Sequence, residues 1–285
     1  MREIDIEKLP SINNYKKIVE LYQMANQDDS MLKVFYANDY PVPLKKDLVL
    51  YPVQVDLYFY FHLLVECLLL PHLTSGDIKA ISMSYFEYLC YRCIEKHDMM
   101  HIIYLSELLF IVLRKDRKYI DDNGNEQDTV VVDLTHKKLQ ICGVEISNEE
   151  FDFMRKVILE QNAIEVPDET LPPDLVKAFK EKEEFRLKQS RVKMCSFEDQ
   201  INVVVAQSSY RRDEIMTMTI RSFTRLLTRI DKIMSYEIST LLSPNMEKKD
   251  RDKIPHYMES IDTSLKERYE KEFTDIQSLK EKIKI

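Results

Sequence analysis

The chain has 285 residues, 45% of them hydrophobic and 32% charged, with a net charge of −8. That is enough apolar material to bury a core, and the acidic balance disfavours global attraction to nucleic acid. Only 3 glycines occur, which argues against Gly-rich phosphate-binding loops and favours helix, because such loops use Gly for positive φ.

The opening residues, MREIDIEKLP, are charged and lack an apolar signal core. Residues 12–24 form a short helix with Ile12, Tyr15, Val19 and Tyr22 on one side, broken by NQDDS at 26–30. Residues 31–55 are rich in Val, Tyr and Leu and contain Pro41, Pro43 and Pro52. They read as short edge strands, a hairpin with LKKD at its turn. The most apolar part follows. Asp56 caps a helix through Cys67, a second helix runs from Asp77 to Lys96, and a third from Asp98 to Leu113. The run at 65–70 is interrupted by Glu66, closed by Pro71 and too short to span a bilayer.

Residues 114–128 read as a polar loop around the turn dipeptide Asn123-Gly124. The next stretch, TVVVDLTHKKLQICGVEI, alternates and carries β-branched residues. It predicts two or three strands turning at 135–138 and at Gly143. Ser147 and Glu150 fit a capping box for a helix ending near Asn162. A linker with three prolines follows at 163–173, then a charged helix at 174–190.

Residues 196–242 carry the longest helical periodicity. The motif SSYRRD at 208–213 divides them into two helices at an angle, the first buried through 203–205. In the second, Ile220, Phe223, Leu227, Ile230, Met234, Ile238 and Leu241 fall on one face. A polar loop and a last amphipathic helix from His256 to Ile285 complete the chain. The fold class is mainly α with small β-hairpin elements (α+β), a helical core plus a short antiparallel β insertion. The regions are 1–113, 114–162, 163–190 and 191–285.

Candidate sites are sparse. Arg221, Arg225, Arg229 and Lys232 line one helix face, with Arg211 and Arg212 before them. They suit phosphate or an acidic partner, or a solvated face paired with neighbouring carboxylates. Stacking aromatics are missing from the ridge, which disfavours nucleic acid. Cys90, Cys93, His97 and His101 have a zinc-like spacing but share one helical stripe, and a tetrahedral site needs ligands from two elements. The five cysteines are odd in number and lack a disulfide framework, so they read as reduced intracellular thiols. Glu149, Glu150 and Asp152 sit in a first helical turn, where negative charge suits the helix dipole. Met216, Met218 and Met234 are ordinary core or an adaptable groove. No Ser–His–Asp order or H-E-x-x-H appears, so neither an enzyme nor a cofactor is expected.

Three stretches carry a resemblance. They are residues 48–64 with 78–89, residues 140–162, and residues 218–238. In this order they resemble tail-region proteins of large tailed bacteriophages of Gram-positive hosts, which are similar in turn to baseplate-hub assembly proteins and tail assembly chaperones. The resemblance is one of apolar and turn positions and brings no defined site. It implies a non-enzymatic role in tail or baseplate assembly, with phage tail or baseplate proteins as partners, in the host cytoplasm or on the virion. A structural virion subunit and a nucleic-acid-binding regulator using Arg221, Arg225 and Arg229 are the alternatives.

Overall fold

The computed structural model describes residues 12–24, 29–73, 77–121, 123–167, 181, 185, 195–245 and 254–259. The described residues bear out a mainly helical chain with small antiparallel sheets of two or three strands. They fall into two units, Met1–Arg191 with Met216–Arg221, and Val192–Ile215 with Ser222–Ile285.

The first unit opens with α1 (Ile12–Met24), which buries Tyr15 and Tyr22. Helix α2 (Asp29–Ala37) occupies a stretch whose composition predicts strand. The reason is periodicity: Leu32, Phe35 and Tyr36 fall at helical spacing and are all buried. Their ring contacts fix α2 on α1, Phe35 meeting Tyr22 at 5.2 Å between centroids. The expected hairpin follows, β1 (Val42–Lys45) against β2 (Leu48–Leu50), with Val42 opposite Leu50. Its alternation buries Val42, Leu44, Leu48 and Leu50. Pro43 is tolerated because a two-stranded ribbon leaves one side of each strand unpaired.

Asp56 is not a cap; it lies inside a 3-10 turn, Val55–Leu57, which leads into α3 (Tyr58–Val65). The helix expected over 77–96 is two helices. Asp77 caps the single turn α4 (Ile78–Ile81), and α5 (Tyr85–Glu95) starts at its own capping box. In that box Ser84 Oγ accepts from Glu87 N, and the Glu87 carboxylate accepts from Ser84 N. Helix α6 (Met100–Leu113) is deeply set, with Leu105, Leu108 and Leu109 fully enclosed. It packs on α3 and α5.

The expected loop at 114–128 is a hairpin, β3 (Lys118–Ile120) with β4 (Glu126–Asp128). The Asp121 side chain closes its turn by accepting from the amides of Asn123 and Asn125, and Gly124 takes φ of 81°. The antiparallel meander β5 (Val130–Asp133), β6 (Lys138–Ile141) and β7 (Val144–Ile146) matches the predicted strands and turns. Gly143 is required at the second turn. Its φ is 72°, and a Cβ there would stand 2.7 Å from the Tyr119 hydroxyl.

Helix α7 (Asn148–Gln161) starts at the predicted Ser147–Glu150 capping box and lays Phe151 against Phe86 and Tyr85. Side chains from α1, α2, α3, α5 and α6, from β1, β2, β6 and β7, and from α7 form one cluster, so regions 1–113 and 114–162 share a core. The buried Gln161 and Asn162 close α7 onto the chain on either side of the β1–β2 hairpin. Gln161 Nε2 donates to the Tyr40 carbonyl, and Asn162 Oδ1 accepts from Val53 N at 2.8 Å.

In the second unit α8 (Phe197–Gln207) starts at a box formed by Ser196 and Asp199. It buries Ile201 and Val204, while Val203 and Val205 are each 37% exposed, which corrects the reading that 203–205 as a whole is buried. One face of a helix cannot bury three consecutive residues. The predicted break is present between α8 and α9 (Arg212–Thr217). A second break at 218–219 precedes α10 (Ile220–Leu242), so the stretch holds three helices instead of two. The last expected helix does not begin at His256: residues 254–259 are irregular and end in a turn, and the rest of it lies outside the described residues. So does the charged helix expected at 174–190, apart from 181 and 185.

Replacing Phe151 with Ala should cost about 3–5 kcal/mol, and Ser147→Ala about 1 kcal/mol. Urea denaturation of both variants measures this, and a Phe151→Ala loss no larger than that of Ser147→Ala would contradict the placement of Phe151.

Candidate functional site

The ridge residues do not share one environment. Arg221 lies in Met216–Arg221, the short piece of the C-terminal region that belongs to the first unit. There Thr219 forms a β-bridge with Gln54. Val55 N donates to the Met218 carbonyl at 2.9 Å, and Ile220 N to the Val53 carbonyl at 2.8 Å. Gln54 Nε2 donates to the Thr217 carbonyl, and Thr219 Oγ1 to Asp39. Ile220 enters the core. Arg221 donates to the Glu160 carbonyl at 2.7 Å and lies 5.4 Å from the Tyr36 ring centre. Burial first, and then the Glu160 carboxylate, push the Tyr36 hydroxyl far above its ordinary range. Neither Asp39 nor Asn162 was legible as part of this seat, because their partners are more than a hundred residues away.

Further along α10, Arg229 donates to the carbonyls of Tyr257 and Glu259, and Lys232 to that of Glu259 at 3.4 Å. Arg225 is half-buried. Tyr236 meets His256 and Tyr257 at 5.1 and 5.4 Å between ring centres. Together with Thr240, Ser243 and Ile254, Tyr236 and His256 line a cavity of about 250 Å³. The apolar face of α10 has two fates. Its first half buries Ile220, Phe223 and Ile230; its second half leaves Met234, Ile238 and Leu241 at 41%, 55% and 78% exposure. Ile233 and Leu242 extend that exposed stripe. Met216 and Met218 stand in the first unit's seat and Met234 on the stripe, so the three methionines have separate surroundings.

Arg211 and Arg212 pair with acidic neighbours, Arg211 with Asp213 at 2.8 Å and Arg212 with Glu198 at 3.7 Å. Glu150 belongs to the capping box and to an ion pair with Lys45 at 2.8 Å. Burial pushes the Asp152 carboxyl up, against the opposing effect of Arg155.

Cys90 and Cys93 are buried on α5, whose helix ends at Glu95 before His97 takes φ of 55°. His101 faces the Asp98 carboxylate at 3.1 Å, which also accepts from Arg92 at 2.6 Å. Among the described residues no group of three His, Cys, Asp or Glu side chains is placed to hold a metal ion. Burial pushes the thiols of Cys67 and Cys90 up to about 12.

With this geometry in place, comparison with known proteins gives one finding. Residues 187–262 match the family model described as YomV second domain. The matched family is phage-derived. The similarity takes in α8, α9, α10, the seated Met216–Arg221 segment and the returning residues 254–259, and it supports a phage protein. No curated protein and no solved structure matches the chain. Among the described residues no helix is long and apolar enough to cross a membrane.

Two measurements check this arrangement. Arg221→Glu should lower stability by about 2–4 kcal/mol, since it removes a charged donor from a half-buried carbonyl and places an anion there; an unchanged urea midpoint would return Arg221 to solvent. In the folded chain at pH 8, maleimide should modify the exposed Cys195 and spare Cys67 and Cys90, whose thiols stay protonated and enclosed. Rapid modification of Cys67 or Cys90 before unfolding would refute their burial.

Proposed function

We propose that this chain acts by protein–protein contact, without chemistry or a cofactor, as an assembly factor for a phage tail or baseplate component in the host cytoplasm. The observation that carries the reading is the stripe of Met234, Ile238 and Leu241 on α10, exposed within the region similar to a phage-derived family. Side chains at i, i+4 and i+7 on one helix face are the pattern by which an amphipathic helix enters an apolar groove. Single exposed apolar residues are ordinary, but a contiguous row at helical spacing marks an interaction surface. The tail and baseplate part of the proposal draws on the resemblance of residues 48–64, 78–89, 140–162 and 218–238 to tail-region proteins.

A nucleic-acid role gains little support from the basic face. Arg221 and Arg229 donate to backbone carbonyls, and a phosphate would have to compete with those bonds. Steeply salt-dependent DNA binding by the purified chain would revive that reading.

Pull-down against tail and baseplate proteins of the same genome tests the proposal. The wild type should retain one of them, and the double change Ile238→Asp, Leu241→Asp should reduce recovery about tenfold or more. Recovery of none, or equal recovery by both, would sink it. Mass spectrometry of purified particles then separates an assembly factor, which should be absent, from a structural subunit, which should be present.

A further inference from the structure

The second half of α10 has two opposite faces, and the returning residues 254–259 occupy one of them. At about 100° per residue, Arg229, Lys232, Tyr236 and Thr240 fall on one side of the helix. The carbonyls of Tyr257 and Glu259 accept from Arg229 there, and that of Glu259 also accepts from Lys232. Tyr236 lies on His256 and Tyr257, and Thr240 lines the cavity with Ile254. Met234, Ile238, Leu241 and Leu242 fall within an arc of about 100° on the other side. All four are exposed, so the returning residues leave this face open.

The open face is its own complement. From their exposures, its four apolar side chains present about 450 Å² to solvent, the size of patch that marks an interaction site. Two such faces together bury about 900 Å², and the flanking Ser235, Glu237 and Ser239 carry the contact past about 1,000 Å², where specific interfaces begin. Charge decides the direction of the pair. Asp231 is exposed and lies on the same arc, one turn before Met234, so a parallel pair sets it against its own copy, like charge on like. An antiparallel pair about a two-fold axis at Ile238 sets Ile238 on its own copy and Met234 level with Leu242 of the other. Leu241 is then level with Ser235, whose small side chain leaves room for it, and Glu237 is level with Ser239. No two like charges meet across the face.

We propose that two copies of this chain pair through the Met234–Leu242 face of α10 in an antiparallel, two-fold symmetric contact. The contact is small, so the dimer is reversible. It takes both apolar rows out of water together and leaves residues 254–259 on the outer side of each helix. The pairing rests on this chain alone. One consequence rests on the assembly reading: a tail component that enters the same face has to compete with the second copy.

Equilibrium sedimentation of the full-length chain tests the pairing. The wild-type mass should rise toward that of two chains by roughly 100 μM, and Ile238→Asp, Leu241→Asp should weaken association about tenfold or more. That variant alters exposed side chains, and continued protection of Cys67 and Cys90 from maleimide will show that it is folded. Disulfide formation tests the register in a Cys195→Ser background, which should itself give no cross-linked dimer. Ile238→Cys should cross-link to itself, and Met234→Cys should do so far less alone than when mixed with Leu242→Cys. A wild type that stays monomeric, or a dimer that the Asp variant retains, would overturn the proposal. Met234→Cys cross-linking more alone than in the mixture would overturn the antiparallel register. If the wild type dimerises and retains no tail protein, the assembly reading fails and the pairing stands; if it retains one while monomeric, the pairing alone fails.

Discussion

The hydrogen bond from Val53 N to the buried Asn162 side chain is the constraint on which the first unit depends. Residues 51–55 cross the interior without a continuous partner strand, so each amide needs its own acceptor. Tyr51 N finds the Val112 carbonyl at the end of α6, Val53 N finds Asn162 at the end of α7, and Val55 N finds the Met218 carbonyl. Position 52 is proline and has no donor to place. Three distant parts of the sequence therefore end on one extended pentapeptide. Asn162 can hold its place there because its other polar end donates to the Ile158 carbonyl of α7. A buried amide side chain satisfied at both ends fixes position far more sharply than apolar packing of the same volume does.

That constraint explains what becomes of Arg221. The carbonyl of Val53 and the amide of Val55 form a receptor edge for residues 218–220, and the edge fixes where α10 can begin. With Ile220 in the core, the residue after it is carried to the end of α7, and the Glu160 carbonyl takes its guanidinium. Such a carbonyl at a helix C-terminus carries partial negative charge, and beside the Ala163 amide it still has a lone pair to offer. A long cationic side chain suits it. The basic face that looks continuous on a helical wheel is thus divided by tertiary structure: one member supports the first unit, and two hold a returning strand of chain.

Elements defined by local chemistry were readable from the sequence, and elements defined by distant partners were not. The Ser147–Glu150 box, the meander turning at Gly143, the β1–β2 hairpin and the break after Gln207 all follow from signals within a few residues. Helix α2 was hidden because Val34, Phe35 and Tyr36 have β-leaning propensities that packing at 3.6-residue spacing overrides. The capping signal Ser84-x-x-Glu87 was present, but it stands inside a longer amphipathic run that masks a new start. The β3–β4 hairpin has almost no apolar alternation, since its strands face solvent. The break at 218–219 has no local cause at all, because Thr and Met do not stop helices; the bridge to Gln54 imposes it.

The stripe on α10 is where local and tertiary demands part. A helix that continues its apolar period past the end of its own packing leaves hydrophobic stabilisation unused. For Ile238 and Leu241, each more than half exposed, the loss is on the order of 1 kcal/mol or more per side chain. A polar residue at either position would suit the isolated second unit at least as well and would reduce association with other apolar surfaces. The exposed half keeps the same heptad-like spacing as the buried half, Ile220, Phe223 and Ile230. Continuity of period across a boundary of burial is what a helix shows when its second half packs against something that joins later. The carbonyls gathered by Arg229 and Lys232 hold Tyr257 and Glu259 just before that boundary, so the face beyond it suits a partner whose own apolar row has the same period.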